Sequence, residues 1–212
     1  MSSITPSHES PASIDAAHAA APAGLRVERD VAIAPFTTFG IGGPAGLLAR
    51  PQNADELADA VRWARASGLE WFVLGTGANI LVGDGGFRGI VIRNEAAAAR
   101  LEGDVLVAES GAIIADLIEL TAAAGLSGLE HYTGIPSTLG GALWQNLHFL
   151  APDRQRTLFI EDVVKSARIL DVNDAVREVD RDWFEFGYDD SRLHHEEIVV
   201  LDVTFELDRK PA

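Results

Sequence analysis

Glycine is concentrated in two short stretches of this chain, and both stretches interrupt an otherwise regular alternation of strand and helix patterns. Eleven of the twenty glycines fall there, six within residues 75–89 and five within residues 125–141. Glycine allows sharp turns and lets backbone N–H groups approach a ligand without a Cβ in the way. These stretches therefore predict a mixed α and β fold with ligand-binding loops.

The first half of the chain predicts a βαβ unit. Asn53 is expected to cap a helix, with Glu56 three residues later, and Gly68 is expected to end that helix. A second helix is expected over residues 113–125, from the spacing of its apolar residues. Strands are predicted at residues 25–33 and 47–49, and short buried strands at residues 71–74, 90–92 and 105–108.

The second half predicts antiparallel strands. Residues 163–172 and 176–179 flank Asn173-Asp174, a typical hairpin turn. Residues 198–207 alternate strictly, which predicts a strand with one face in solvent. That solvent face is expected to carry Asp202, Thr204 and Glu206. The fold class is therefore α+β, with a disordered tail at residues 1–23 and two subdomains at residues 24–98 and 99–212.

Composition excludes several classes of function. The chain has no cysteine, so disulfide scaffolds, thiolate metal sites and cysteine nucleophiles are excluded, and no metal site is predicted. The net charge of −15 makes nucleic acid and anionic membranes improbable partners. Residues 1–23 lack the basic start and apolar stretch of a secretory signal, which favours a cytoplasmic protein.

The two glycine stretches are candidate anion sites with an alternative explanation. Residues 74–87 follow a buried strand, but no Gly-Lys-Ser/Thr follows them, and Ile80 stands where a dinucleotide fingerprint needs its third glycine. In the second stretch Ser137 is a possible helix cap, and Gly140 and Gly141 weaken the first helical turn. Two such stretches without a basic cluster suggest a bound diphosphate, whereas the alternative is tight backbone packing.

Four ordered segments carry a family resemblance that covers residues 27–207. They resemble UDP-N-acetylenolpyruvoylglucosamine reductases, a family also called UDP-N-acetylmuramate dehydrogenase or MurB. The segments are TTFGIGGPA (37–45), LGTGANILVGDGGF (74–87), GLSGLEHYTGIPSTLGGALWQN (125–146) and FGYDDS (186–191).

The resemblance implies a two-subdomain FAD-binding fold of the vanillyl-alcohol-oxidase (PCMH) type. In that family NADPH reduces FAD, and the flavin passes a hydride to the enolpyruvyl group of a UDP-sugar, a step of peptidoglycan synthesis. The family's substrate domain has no counterpart in these residues, so a fragment or incomplete chain, inactive alone, is expected. The alternatives are a stand-alone FAD-binding module and another flavin oxidoreductase of this fold.

The resemblance also assigns cofactor-binding residues. The segment at residues 74–87 is expected to hold the FAD pyrophosphate through backbone N–H groups. The segment at residues 125–146 is expected to line the flavin from the other side, and the last strand to pack against the cofactor. These residues are Gly75, Thr76, Gly77, Ala78, Asn79 and Ile80, then Gly134, Ile135, Pro136, Ser137, Gly140, Gly141, Gln145 and Asn146, and finally Val199.

The sequence departs from the family at three places. Ala78 replaces the usual Ser, and residues 147–153 replace Gly-Ala-Tyr-Gly, which predicts a different loop path. The motif Tyr-Arg-x-Ser reads Tyr188, Asp189, Asp190 and Ser191, so an aspartate stands where an arginine would stabilise enolate-like charge.

The candidate catalytic residues are therefore Tyr188, Ser191 and Arg192, with Arg192 a possible substitute for the missing arginine. His194 and His195 are further sources of positive charge, although paired histidines in a polar turn are more often simply exposed.

Overall fold

The computed structural model describes residues 11–209, with side chains described from residue 14 onward. The chain divides into unit 1, which ends at Glu95, and unit 2, which begins at Ala96. This division lies three residues before the predicted boundary between residues 98 and 99. None of the helices within residues 11–209 has the length and apolar character needed to cross a bilayer.

Unit 1 is a four-stranded sheet with two helices. Its order is β1-β2-β4-β3, with β4 parallel to both β2 and β3 and β1 antiparallel to β2. The strands predicted in this half are confirmed, and β2, α2 and β3 form the expected βαβ connection. The elements are α1 (Pro11–Ala19), β1 (Val27–Ala32), β2 (Pro44–Ala49), α2 (Ala54–Ser67), β3 (Trp71–Leu74) and β4 (Phe87–Arg93).

Helix α2 begins and ends where its sequence signals predicted. The Asn53 side chain accepts a hydrogen bond from the Glu56 N–H at 2.9 Å. The Glu56 carboxylate in turn accepts from the N–H of Gln52 at 2.9 Å, which satisfies a second donor before the helix. Gly68 ends the helix in the left-handed conformation, at φ 70°.

Helix α1 overturns part of the predicted disordered tail. Residues 11–19 are helical, while residues 1–10 lie outside the described part of the chain. Ala17 is only 4% exposed, and its carbonyl oxygen accepts a hydrogen bond from Trp63 Nε1 at 2.9 Å. Ala17 is the buried alanine of α1 among its described side chains, and the helix sequence shows no stripe of large apolar residues that would predict a packed helix.

Unit 2 is built on a five-stranded antiparallel sheet in the order β11-β10-β12-β6-β5. Two small strand pairs, β13-β7 and β8-β9, lie outside this sheet. The elements are β5 (Ala99–Glu102), β6 (Val105–Glu109), α3 (Ile114–Ala123), β7 (Leu126–Ser127), α4 (Leu139–Trp144), β8 (His148–Leu150), β9 (Thr157–Phe159), β10 (Val164–Leu170), β11 (Val176–Asp180), β12 (Val199–Glu206) and β13 (Asp208–Arg209).

The predicted hairpin and last strand are both present, but the last strand is more buried than its alternation predicted. Asp171 closes the hairpin turn by accepting N–H donors from Asn173 and Ala175. Asp202 is 8% exposed rather than half in solvent, because β12 is the middle strand of five. Arg168 of β10 reaches over it and donates Nε–H to its carboxylate at 2.7 Å.

Candidate functional site

The loop after β3 presents a row of unused backbone donors. Within residues 11–209, the N–H groups of Gly77, Ala78 and Asn79 donate to no protein acceptor. Gly77 has φ +67°, and residues 78 and 79 form a turn. Consecutive N–H groups of this kind make a concave site for an anion, and this loop follows the carboxyl end of a parallel strand.

Gly77 itself is required by packing. A Cβ at this position would overlap the carbonyl oxygen of Phe36 and lie 2.8 Å from the Cα of Thr37. The Gly77 carbonyl also accepts the N–H of Thr38 at 3.1 Å, so the loop is tied to residues 36–38. Ile80, where the fingerprint lacks its third glycine, packs against the apolar core of unit 1.

The second glycine stretch uses its donors internally. At the start of α4, the N–H of Leu139 donates to Ala112, that of Gly140 to the Ser110 carbonyl at 2.7 Å, and that of Gly141 to the Thr138 hydroxyl at 3.3 Å. The helix start is thus already satisfied by protein acceptors, as the packing alternative expected.

The predicted cap of α4 was off by one residue. Thr138 caps the helix, whereas Ser137 donates its hydroxyl to the Thr138 carbonyl at 2.9 Å. Gly134 has φ +86°, and a Cβ there would meet nothing within 4 Å. Ile135 packs on the core of unit 2. Pro136 follows Ile135 in the segment that leads to α4. Val199 is buried at the start of β12, the strand that α4 packs against.

Asn146 and Ser191 fix the FGYDDS segment to the end of α4. The fully buried Asn146 amide donates to the Glu161 carboxylate at 3.1 Å and to the Gly187 carbonyl at 3.0 Å. Ser191 is 1% exposed and donates its hydroxyl to the Trp144 carbonyl at 2.7 Å. The Ser191 hydroxyl is thus an internal anchor, while the half-buried Gln145 lies between these two contacts in the chain.

Tyr188 and Asp189 are displayed at the surface beside the divergent loop. Tyr188 is 70% exposed, and its ring centroid lies 4.4 Å from that of His148 in β8. Asp189 is at φ +52°, and its carboxylate lies 3.9 Å from His148 Nδ1. Residues 148–150 of this loop form a hairpin with β9.

Arg192 is already engaged by other groups. Its guanidinium pairs with Glu185, lies 3.9 Å from Glu196 and stacks 4.7 Å from the ring of Trp183. A guanidinium held in this way has to break an ion pair before it replaces the family's arginine.

The two histidines that follow Arg192 differ from each other. His194 stacks on Trp144 at 3.5 Å between ring centroids, whereas His195 is exposed and hydrogen-bonds Asp190 at 3.1 Å. The hydrogen bond from His195 lowers the pKa of Asp190.

Unit 1 holds a cation cluster that the sequence analysis missed. Arg50 Nη2 and Arg93 Nε both donate to one oxygen of Glu95, at 2.7 and 2.9 Å, and Gln52 donates to the other oxygen at 2.7 Å. Burial alone raises the pKa of Glu95, but these hydrogen bonds outweigh it and lower that pKa from 4.5 to about 2. Arg50 follows β2 directly, and Arg93 is the last residue of β4. Because these two strands are parallel neighbours, the two arginines meet at the same edge of the sheet.

Comparison with known proteins decides the family. The sequence pattern of a family described as "FAD binding domain" matches residues 45–180 of the chain. The chain belongs to this family. The FAD-binding domain is 42% identical over 137 residues to the UDP-N-acetylenolpyruvoylglucosamine reductase of Rubrobacter xylanophilus, covering 64% of this chain and 46% of that protein.

A second reductase of the same name, from Clostridium perfringens, is 34% identical over 171 residues, which cover 80% of this chain and 54% of the relative. The FAD-binding domain thus spans about half the length of the curated relatives it matches. The crystal structure of the Thermus caldophilus reductase (MurB) superposes with a TM-score of 0.72 at 31% identity, covering 88% of this chain and 64% of that one. The predicted vanillyl-alcohol-oxidase type of fold and the resemblance to the FAD-binding part of these reductases are both confirmed.

Replacing Gly77 with Ala is expected to destabilise the FAD-binding domain by about 2–4 kcal/mol, from overpacking against Phe36 and an unfavourable positive φ. Gly83→Ala is the matched control, because a Cβ there meets nothing within 4 Å and should change stability by less than about 0.5 kcal/mol. Urea unfolding measures both variants. Equal stability of the two would contradict the packing role of Gly77.

The low pKa of Glu95 predicts a pH-dependent contribution to stability. Because the folded pKa lies below the ordinary value, the contribution is present above pH 4.5 and disappears as the pH falls toward 2. Above pH 4.5, wild type should therefore be more stable to unfolding than Glu95→Gln by about 3 kcal/mol at most. This difference in the free energy of unfolding should shrink as the pH falls toward 2. Asp59→Asn, at an exposed pair on α2, is the control, and its difference should stay within about 1 kcal/mol.

Proposed function

We propose that this chain is the FAD-binding part of an NADPH-dependent reductase that converts UDP-N-acetylenolpyruvoylglucosamine to UDP-N-acetylmuramate, in the cytoplasmic steps of peptidoglycan synthesis. The observation that carries the proposal is the sequence relation to reductases of this name, extending through the loop after β3. That relation covers about half of each relative, so the substrate, the reductant and the location belong to the proposal.

The residues present fit an FAD diphosphate. Three consecutive backbone N–H groups at residues 77–79 have no protein acceptor within the described residues 11–209, and glycine at position 77 holds the loop in place. In a chain of net charge −15, backbone donors bind an anion without needing a surplus of basic side chains. Because Ala78 stands where the family usually has Ser, one side-chain hydroxyl is lacking, while the backbone donors of the loop are all kept.

When bound, FAD would supply the hydride transfer between NADPH and the enolpyruvyl carbon. The chain's own contribution is to bind and orient. The loop at residues 75–80 would hold the diphosphate, and residues 134–137 with Gln145 would be the flavin-binding residues of the family motif. Asn146 and Ser191 keep Tyr188 displayed beside the end of α4.

One observation favours a different flavin oxidoreductase of the same fold. Asp189 carries negative charge at the arginine position of the motif, and the guanidinium of Arg192 is paired with Glu185. Negative charge developing on a substrate beside Asp189 would be repelled rather than stabilised. A substrate that gains no negative charge in the reaction suits this arrangement better.

The diphosphate loop is tested by Ala78→Asp, which places a carboxylate among the free N–H groups. Two like charges about 4 Å apart repel by up to about 4 kcal/mol near a protein surface, so FAD affinity should fall at least about tenfold. Ala78→Ser restores the family's hydroxyl and should bind FAD at least as tightly as wild type. Flavin absorbance after equilibrium dialysis measures both. Wild-type protein that takes up no FAD would overturn the proposed function.

The reductase assignment is tested by anaerobic spectroscopy of the FAD-loaded chain. NADPH should bleach the flavin absorbance faster than NADH does. Failure of the UDP-enolpyruvyl sugar to reoxidise the reduced flavin would favour the different flavin oxidoreductase, because Asp189 repels the developing charge and Arg192 is engaged. Rapid reoxidation would contradict that reasoning. Bleaching by neither nucleotide would favour a stand-alone FAD-binding module.

A further inference from the structure

Arg93 differs from Arg50, the other arginine that binds Glu95, because both of its terminal guanidinium nitrogens are unused in the described part of the chain. Its Nε donates to Glu95, and within residues 11–209 its two terminal nitrogens donate to no acceptor. Arg50, by contrast, has a carboxylate beside each of its nitrogens: Nε and Nη2 donate to Glu95, and Nη1 lies 3.6 Å from Glu28. The Arg93 side chain is 29% exposed, so these two nitrogens are accessible.

The free end of Arg93 is held rigidly. The bond to Glu95 fixes Nε, and the guanidinium carbon stacks 4.4 Å from the centre of the Phe36 ring. A guanidinium fixed by an ion pair and by ring stacking presents its remaining donors with little loss of side-chain entropy on binding an anion. This geometry is preorganised, although no anion among the described side chains uses it.

Strand register brings Arg93 beside the diphosphate loop. Arg93 pairs with Leu74 across β4 and β3, and Leu74 immediately precedes the loop. The next N–H of β4, that of Asn94, donates to the Leu74 carbonyl at 3.0 Å. Phe36 completes the link, since its ring carries Arg93 and its carbonyl lies against Gly77.

The cluster around Arg93 also carries surplus positive charge. Three arginines, Arg26, Arg50 and Arg93, share two glutamates, Glu28 and Glu95, in one connected set of ion pairs. The set has a net charge of +1, in a chain whose total is −15. Of the two arginines that bind Glu95, Arg93 is the one whose terminal nitrogens are unengaged among the described residues, and it is the one next to the loop.

We propose that Arg93 is a binding residue for the diphosphate, with its two terminal nitrogens donating to the anion that the loop at residues 75–79 holds through backbone N–H groups. The inference rests on the proposed FAD binding. Arg93 adds a fixed cation to a site that the sequence suggested is made of backbone alone.

The test compares Arg93→Gln with Arg100→Gln, which removes the same charge from an exposed pair in unit 2. Affinities for FAD, ADP and riboflavin are measured by dialysis. Arg93→Gln should weaken FAD and ADP binding by about tenfold, with less effect at high salt, and leave riboflavin unchanged because it carries no phosphate. Arg100→Gln should bind all three as wild type does.

The outcomes separate this inference from the proposed function. If wild type binds no FAD, the proposed function fails. If wild type binds FAD and Arg93→Gln binds FAD and ADP as tightly, only the role of Arg93 is overturned. Equal weakening of riboflavin would show a merely structural effect and would also overturn it.

A measurement on wild-type protein applies even if Arg93→Gln does not fold. Phenylglyoxal labels accessible guanidinium groups, and peptide mass spectrometry reports the extent of labelling at each arginine. ADP and FAD should each protect Arg93 several-fold and leave Arg100 unprotected. Labelling of Arg93 that is unchanged in FAD-loaded protein would overturn the inference.

Discussion

The contact between Gly77 and the Phe36 carbonyl is the constraint on which the unit 1 site depends. It fixes the loop after β3 so that consecutive N–H groups remain available, and it positions the aromatic ring on which Arg93 stacks. Backbone donors and a cation are thus arranged around one aromatic residue. A side chain at position 77 is sterically excluded, so glycine is required there by the shape of the loop itself, whether or not a ligand is bound.

Unit 2 achieves a similar rigidity with buried polar side chains. Asn146, just after α4, donates to the Gly187 carbonyl, and Ser191 donates to the carbonyl of Trp144 at the end of α4. The end of α4 and residues 187–191 therefore form one hydrogen-bonded structure. Buried polar groups with complete hydrogen bonding specify a single arrangement, and leaving one unsatisfied is costly. The exposed Tyr188 and Asp189 owe their position to these neighbours.

Local signals in the sequence predicted the fold well. Asn53 and Gly68 bound a helix because capping and left-handed termination depend on single residues, and residues 71–74 are a strand because their apolar run is short and ends in glycine. Helix α1 was missed because its sequence has no periodic stripe of large apolar residues, and a single small residue, Ala17, is buried among its described side chains. The burial of Asp202 was missed because the alternation of residues along one strand does not show where that strand lies in the sheet. β12 is the middle strand of five, and Asp202 is buried there.

The candidate site was predictable in part. The glycine loop was found from its position after a strand, but the role of glycine at α4 was only an open alternative, since hydrogen-bond partners such as Ser110 lie far away in sequence. The arginine cluster escaped notice because Arg50 and Arg93 are separated by a helix and two strands. Parallel pairing brings such residues together, and a search for basic runs does not detect them.

The low pKa of Glu95 has a consequence for the surroundings of the loop. A carboxylate that stays ionised down to about pH 2 keeps its share of the arginine charge neutralised throughout the range in which cells live. The electrostatic character of this edge of the sheet is therefore constant rather than responsive. Across that range the charge that Glu95 presents to Arg50 and Arg93 does not change.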